Sequence, residues 1–258
     1  MTTADVFSPD ALKGRKAFVW GASSGLGLAS ARQLARMGAQ VVLLARSADK
    51  LRRAAGEIGA AGYEAVDLAD EAALAAALER HGDTDILVTN CGGPPIGAFA
   101  ELSLEDWDGA YRQIIRAVVQ AAQQLAPLMA GRGFGRIIMI ASRTVERSLR
   151  GLAISNALRR ALVGVAETLA DEYAARNVTA NLVCPGFTNT ARMEQMLKLR
   201  AERSGQTVEQ VLESFLAPIA AGRAAAPREI AAAVGFLATD AAGYMQAQCL
   251  ILDGGLAL

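Results

Sequence analysis

The stretch from Lys16 to Gly27, KAFVWGASSGLG, constrains the fold more than any other part of the chain. A short apolar run ends at Trp20, a turn carrying Gly21, Gly25 and Gly27 follows, and helical character continues to about Met37. A strand passes into a helix over so few residues when its backbone enters conformations that side chains disfavour, which glycine permits. The helix that follows leaves its first N–H groups without intrahelical acceptors, and a pyrophosphate suits them. Gly21, Ser23, Ser24, Gly25, Leu26 and Gly27 are therefore candidates for holding a dinucleotide. The pattern alone is weak; its place in the first strand–helix unit gives it weight. The plain alternative is a glycine turn that only joins packed elements.

The rest of the chain repeats this rhythm. Gln40–Ala45 (QVVLLA) is apolar on both faces of an extended chain, as in a parallel sheet covered on both sides. Further strands are expected near Tyr63–Val66, Asp85–Val88, Arg136–Ile140, Val178–Cys184 and Cys249–Leu252. Helical patterns fill the intervals, among them Trp107–Met129, read as one or two helices, and Leu152–Ala174. Residues 190–225 are helical and amphipathic but interrupt the alternation. The expected fold is α/β: a single-domain, Rossmann-type, doubly wound parallel sheet of about seven strands in the order 3-2-1-4-5-6-7. The apolar spacing of residues 190–225, after strand six, suits helices that close over a cleft and against the body, or in part an oligomer contact. With no internal repeat and no linker, residues 1–258 read as one domain.

Composition narrows the partners. Lys+Arg and Asp+Glu each number 26, a formal balance of zero that argues against a dedicated nucleic-acid binder. Cys91, Cys184 and Cys249 are dispersed and odd in number, so neither a disulfide framework nor a zinc site is expected. No apolar run reaches the ~18–20 residues needed to cross a bilayer. The N-terminal stretch has no long apolar segment of the secretory kind, and a cytoplasmic protein without membrane contacts is expected.

At the end of strand two a dinucleotide fold selects its cofactor, and a carboxylate there would repel a 2′-phosphate. This chain has Ala45 followed by Arg46, which favours NADP over NAD. Arg46 as a solvated residue at a helix start is the alternative. Asp67 and Leu68 lie just beyond strand three, where Asp67 is placed to meet an adenine amino group or to cap the next helix.

Together these motifs resemble the short-chain dehydrogenase/reductase superfamily over nearly the whole chain, in a divergent branch similar to 3-oxoacyl-acyl-carrier-protein reductases. Gly21, Gly25 and Gly27 match the family's glycine motif, with Trp20 in place of its threonine. Asn90 and Gly92 match its Asn-Asn-Ala-Gly element, while Thr89 and Cys91 depart from it. Ser142 matches the family serine after strand five, and Pro185-Gly186 the loop after strand six, with Thr188 and Thr190 beyond it. Asp253-Gly254-Gly255 matches the C-terminal turn. The resemblance implies that residues 190–225 form a helical substrate lid, and it implies a small-molecule substrate and a homo-oligomer, a tetramer ahead of a dimer.

The departure lies at the chemistry. The register of the family's Tyr-x-x-x-Lys pair reads Ser155-Asn156-Ala157-Leu158-Arg159, and its helical asparagine falls on Ile114. Serine is too weak an acid or base to copy tyrosine unaided, and arginine does not normally shuttle protons. Ser142, Ser155 and Arg159 are the candidate catalytic groups, and Arg159 is also a candidate for the cofactor ribose. The expected activity is an atypical NADP(H)-dependent oxidoreductase acting on a carbonyl or hydroxyl group of a largely apolar substrate. A non-redox lyase or dehydratase, and a weak or inactive nucleotide-binding subunit, are the alternatives. Glu146 is open to acid–base work or to pairing with Arg143 or Arg147, arginines that also suit an anionic substrate. Tyr111 is open to supplying a hydroxyl, and Cys91 to reaction or to simple packing. His81, the single histidine, reads as a surface or helix-end residue, which leaves Ser142 without a partner for hydrolase chemistry.

Overall fold

The computed structural model describes residues 6–256. Seven parallel strands form one sheet: β1 Lys16–Trp20, β2 Gln40–Ala45, β3 Gly62–Ala65, β4 Ile86–Thr89, β5 Gly135–Ile140, β6 Val178–Pro185 and β7 Cys249–Leu252. Their order is β3-β2-β1-β4-β5-β6-β7, as the sequence implied. Parallel strands need a crossover at every step, and the helices supply it. They are α1 Gly25–Arg36, α2 Ala48–Ile58, α3 Glu71–Arg80, α4 Leu104–Tyr111, α5 Ala117–Arg132, α6 Ala153–Tyr173, α7 Ala191–Ser204, α8 Val208–Leu216 and α9 Pro227–Leu237.

The continuous apolar runs of β1, β2, β4 and β5 reflect two separate cores. Along β1, Phe18 and Trp20 face one side with residues of α3, α5 and α6. Ala17 and Val19 face the other with residues of α1, α2 and α9. Alternate residues of a strand point to opposite faces, so an element buried on both sides has no position left for a polar stripe. Local signals set the helix ends: Ser47 accepts from the Lys50 N–H to cap α2, which closes at Gly59 with φ of 66°.

Three details differ from the sequence reading. The cap of α3 is Asp70, accepting from the Ala73 N–H, whereas Asp67 accepts from the Ala69 N–H one turn earlier. The helical run from residue 104 to 132 contains a π-turn at Arg112–Arg116 between α4 and α5, which hydrophobic periodicity does not resolve. Within 190–225 only α7 and α8 are α-helical; the chain after Leu216 turns back and pairs Ile219 with Leu256. A third apolar cluster of Met193, Leu197, Ala201, Val211 and Phe215 joins these two helices.

Candidate active site

The turn after β1 is shaped by close backbone approach. Gly21 has φ of 60°, and a Cβ there would stand 2.5 Å from Asn90 Nδ2. A Cβ on Gly27 would stand 2.3 Å from the Gly21 carbonyl oxygen, so only glycine lets α1 begin so near the turn. Ser24 is the exposed N-cap of α1 but makes no side-chain capping bond, and the first turn holds no acidic residue. A helix start left uncapped and free of negative charge is electrostatically suited to a phosphate. Ser23 and Leu26 flank it, both partly exposed.

The adenosine end follows from β2 and β3. Arg46 is exposed at the end of β2 and enters no ion pair among the described residues. Asp67 is exposed, while the Leu68 side chain is buried in the core, which leaves Leu68 only its backbone to offer a ligand. Asn90 and Gly92 follow β4; Asn90 packs on Gly21 and Gly92 is exposed. The donor set therefore fits a dinucleotide: a glycine cradle that a Cβ would fill, an uncapped helix start and a free cation beyond β2.

Beside this turn a cleft of about 210 Å³ gathers residues that are distant in sequence. Leu26, Ser142, Ser155, Arg159, Pro185, Gly186, Thr188 and Thr190 all line it. Thr190 caps α7, accepting from the Met193 N–H, and Thr188 donates to the Gly186 carbonyl. Gly186 lies against the last turn of the chain: a Cβ there would stand 2.7 Å from Asp253 Cβ.

Ser142 and Ser155 are bridged by Thr144. The Ser142 hydroxyl accepts from the Thr144 N–H at 3.2 Å, and Thr144 Oγ1 lies 3.4 Å from Ser155 Oγ. Ser155 is buried, one helical turn before Arg159 on the same face of α6. Arg159 is buried too; it donates from Nη1 to the Ile140 carbonyl at 2.7 Å and from Nη2 to Cys91 Sγ at 3.4 Å.

The loop after β5 departs from the sequence picture. Arg143 is buried rather than free, with Nε 2.7 Å from Asp253 Oδ2; the N–H bond is not aligned with that carboxylate, and Nη1 has no acceptor. Glu146 is exposed and lies 3.9 Å from Arg143 Nη2, a long contact. Tyr111 is half exposed and stands outside the cleft lining. His81 ends α3 and bonds Glu64 at 2.9 Å, as a helix-end residue does. The Glu64 carboxyl is held below its usual range chiefly by the Arg80 guanidinium, with burial opposing.

Other contributors were hidden from sequence reasoning. Leu149, Leu152, Ile96, Phe187 and Leu256 also wall the cleft, and only the fold places them there. Asn156 clamps the loop by accepting from the Leu149 N–H and donating to the Leu149 carbonyl, at 3.0 and 2.9 Å. Its place directly after Ser155 was the one available signal.

Comparison with known proteins decides the family. A family model described as "Enoyl-(Acyl carrier protein) reductase" matches residues 21–257. The chain belongs to the short-chain dehydrogenase/reductase superfamily. It is 34% identical over 256 residues to oxidoreductase UcpA of Salmonella typhimurium, covering 96% of each chain. The L-sorbose reductase of Gluconobacter frateurii, solved with NADPH and L-sorbose, superimposes with a TM-score of 0.88 at 31% identity, covering 96% of this chain and 98% of that one. A 3-oxoacyl-(acyl-carrier-protein) reductase from Agrobacterium tumefaciens, solved with NADP, gives 0.89 at 27% identity and 99% coverage of both. Oxidoreductase relatives of this kind support redox activity for this member. No helix among the described residues is long and apolar enough to cross a membrane.

Proposed function

We propose that this short-chain dehydrogenase/reductase is an NADP(H)-dependent oxidoreductase acting on a carbonyl or hydroxyl group of a largely apolar substrate, with Ser155 and Arg159 standing where relatives carry the tyrosine and lysine. The observation that carries this reading is the convergence of Ser142, Ser155, Arg159 and Thr190 on one cleft with apolar walls. Arg46, exposed and without a carboxylate partner, supports NADP over NAD, as do the NADPH- and NADP-containing relatives.

When bound, the nicotinamide supplies or accepts a hydride. In this chain Gly21–Gly27, Pro185, Gly186, Thr188 and Thr190 would hold the cofactor, with Arg46 on its adenosine phosphate and Asp67, Leu68, Asn90 and Gly92 along its length. Ser142 accepts the Thr144 N–H on one lone pair, and its own O–H is placed to donate to a substrate oxygen. The Ile140 carbonyl anchors one arm of the Arg159 fork and so fixes where that guanidinium sits beside the cleft. Charge developing on the substrate oxygen is thereby stabilised without any protein group titrating. The proton then comes from water held near Ser155, and the absence of a positioned proton donor slows turnover by roughly 10²–10⁴. The lid, residues 190–225, covers the substrate with its apolar face.

Elimination or another non-redox proton transfer would need a base in the cleft. Glu146 is exposed, and Asp253 is engaged by Arg143 and by the Gly255 N–H, so the carboxylates at hand do not favour that reading. Fluorescence titration with NADPH and NADH, followed by a screen of apolar ketones for NADPH consumption, tests the proposal. NADPH binding with slow, saturable oxidation is expected. Tight NADH binding with negligible NADPH binding overturns the cofactor assignment, and normal affinity with no turnover across the panel overturns the reductase.

A further inference from the structure

Three guanidinium groups line the cleft, those of Arg143, Arg159 and Arg192, and they are compensated unequally. Arg143 has Asp253 at 2.7 Å as its counter-charge. Arg159 is anchored deep in the wall by the Ile140 carbonyl and Cys91. Arg192, in the first turn of α7, has neither a carboxylate partner nor a buried anchor among the described residues. It reaches over the cleft mouth and donates from Nη2 to the Pro94 carbonyl at 2.7 Å, a neutral acceptor on the loop after β4. Glu194, the acidic residue of that turn, is exposed and forms no ion pair with it among the described residues.

The loop is shaped to receive this side chain. A Cβ on Gly93 would stand 2.9 Å from Arg192 Nε and 3.1 Å from Nη2, so the guanidinium keeps this place only beside a glycine. Arg192 is exposed overall, and partial desolvation against the cleft lowers its pKa with no neighbouring charge opposing that shift. A cation held this way raises the potential of the cleft and leaves most of its five donors for a ligand. The neighbouring walls are apolar, built by Ile96, Leu149, Leu152, Met193, Met196 and Leu256. A chamber with an oily body and one uncompensated guanidinium at its lid matches an amphiphile with a negative end.

We propose that Arg192 is an anion-binding residue that fastens the first turn of α7 over a negatively charged group of the bound ligand, either a carboxylate on an apolar substrate or the diphosphate of the cofactor. The proposal rests on the reductase reading for its ligands, but its test does not need turnover. Octanoate and 1-octanol are titrated calorimetrically into the NADP-loaded protein and into the R192Q, R192K and G93A variants, with folding checked by circular dichroism. NADPH affinity is measured on the same samples.

The wild type should hold octanoate about tenfold more tightly than 1-octanol. R192Q should erase that preference, R192K should keep part of it, and G93A, which pushes the guanidinium off its bed, should weaken it. If R192Q instead loses about tenfold in NADPH affinity while the octanoate preference is unchanged, the anion is the cofactor diphosphate. R192Q indistinguishable from wild type in both titrations overturns the proposal. Should the wild type bind no NADPH at all, the reductase reading falls, and the octanoate preference of the unloaded protein still decides the case for Arg192.

Discussion

Arg159 donates to the carbonyl oxygen of Ile140 at 2.7 Å, tying the second turn of α6 to the last residue of β5. This cation is thus a structural clamp as well as a charge beside the cleft. Arg159→Ala should leave a buried carbonyl without its charged donor and cost about 2 kcal/mol of stability, seen as a lower denaturation midpoint. Turnover should fall further than stability explains. A variant that keeps wild-type turnover and NADPH affinity would refute the role given to this side chain.

Gly27→Ala should abolish dinucleotide binding. Its Cβ would lie 2.3 Å from the Gly21 carbonyl oxygen, so the turn and the start of α1 must separate. Fluorescence titration should show no saturable NADPH signal, while far-ultraviolet circular dichroism stays near that of the parent because the sheet itself is untouched.

Arg46→Asp should reverse cofactor choice. The substitution removes the exposed cation beyond β2 and places a carboxylate where a 2′-phosphate would come. NADPH affinity should drop by about tenfold or more relative to NADH. Unchanged selectivity would assign Arg46 to solvent.

Asn156→Ala should loosen the loop after β5. Asn156 makes two hydrogen bonds to the backbone of Leu149, a residue of the cleft wall. The expected signature is a raised KM for apolar substrates with little change in NADPH affinity; the reverse pattern would place Asn156 on the cofactor side.

Cys184 should resist alkylation in the native state. Burial first, and then the neighbouring Cys249, push its thiol from 9.0 up to about 12. The folded protein therefore keeps this proton while the unfolded chain releases it above about pH 9, so stability is full below that value and declines as pH rises toward 12. Peptide mapping after brief iodoacetamide treatment at pH 8 should find Cys184 unmodified until the protein is unfolded. Denaturation midpoints should be flat up to pH 9 and fall above it, and Cys184→Ala should flatten part of that fall.

Much of this molecule is written in local pattern. The continuous apolarity of VVLLA in β2 and IIMI in β5 specifies strands covered on both faces, since neither run carries a polar side chain to turn toward water. Gly21, Gly25 and Gly27 specify a turn that side chains would block, and Ala45-Arg46 specifies the charge beyond β2. These signals are short-range consequences of backbone geometry and burial, so they are legible one segment at a time. The π-turn at 112–116 was not legible, because periodicity does not separate i→i+4 from i→i+5 bonding over one turn.

What the tertiary structure alone decided is how polar groups spend their bonds. By residue type alone, Arg143, Arg159 and Arg192 are identical cations on three separate segments. Folding gave Asp253 to the first, the Ile140 carbonyl to the second and only the Pro94 carbonyl to the third. Those partners lie roughly 20 to 110 positions away, and desolvation makes their presence or absence energetically large. Charge is a property of a residue type; whether that charge is still available to a ligand is a property of the packed chain.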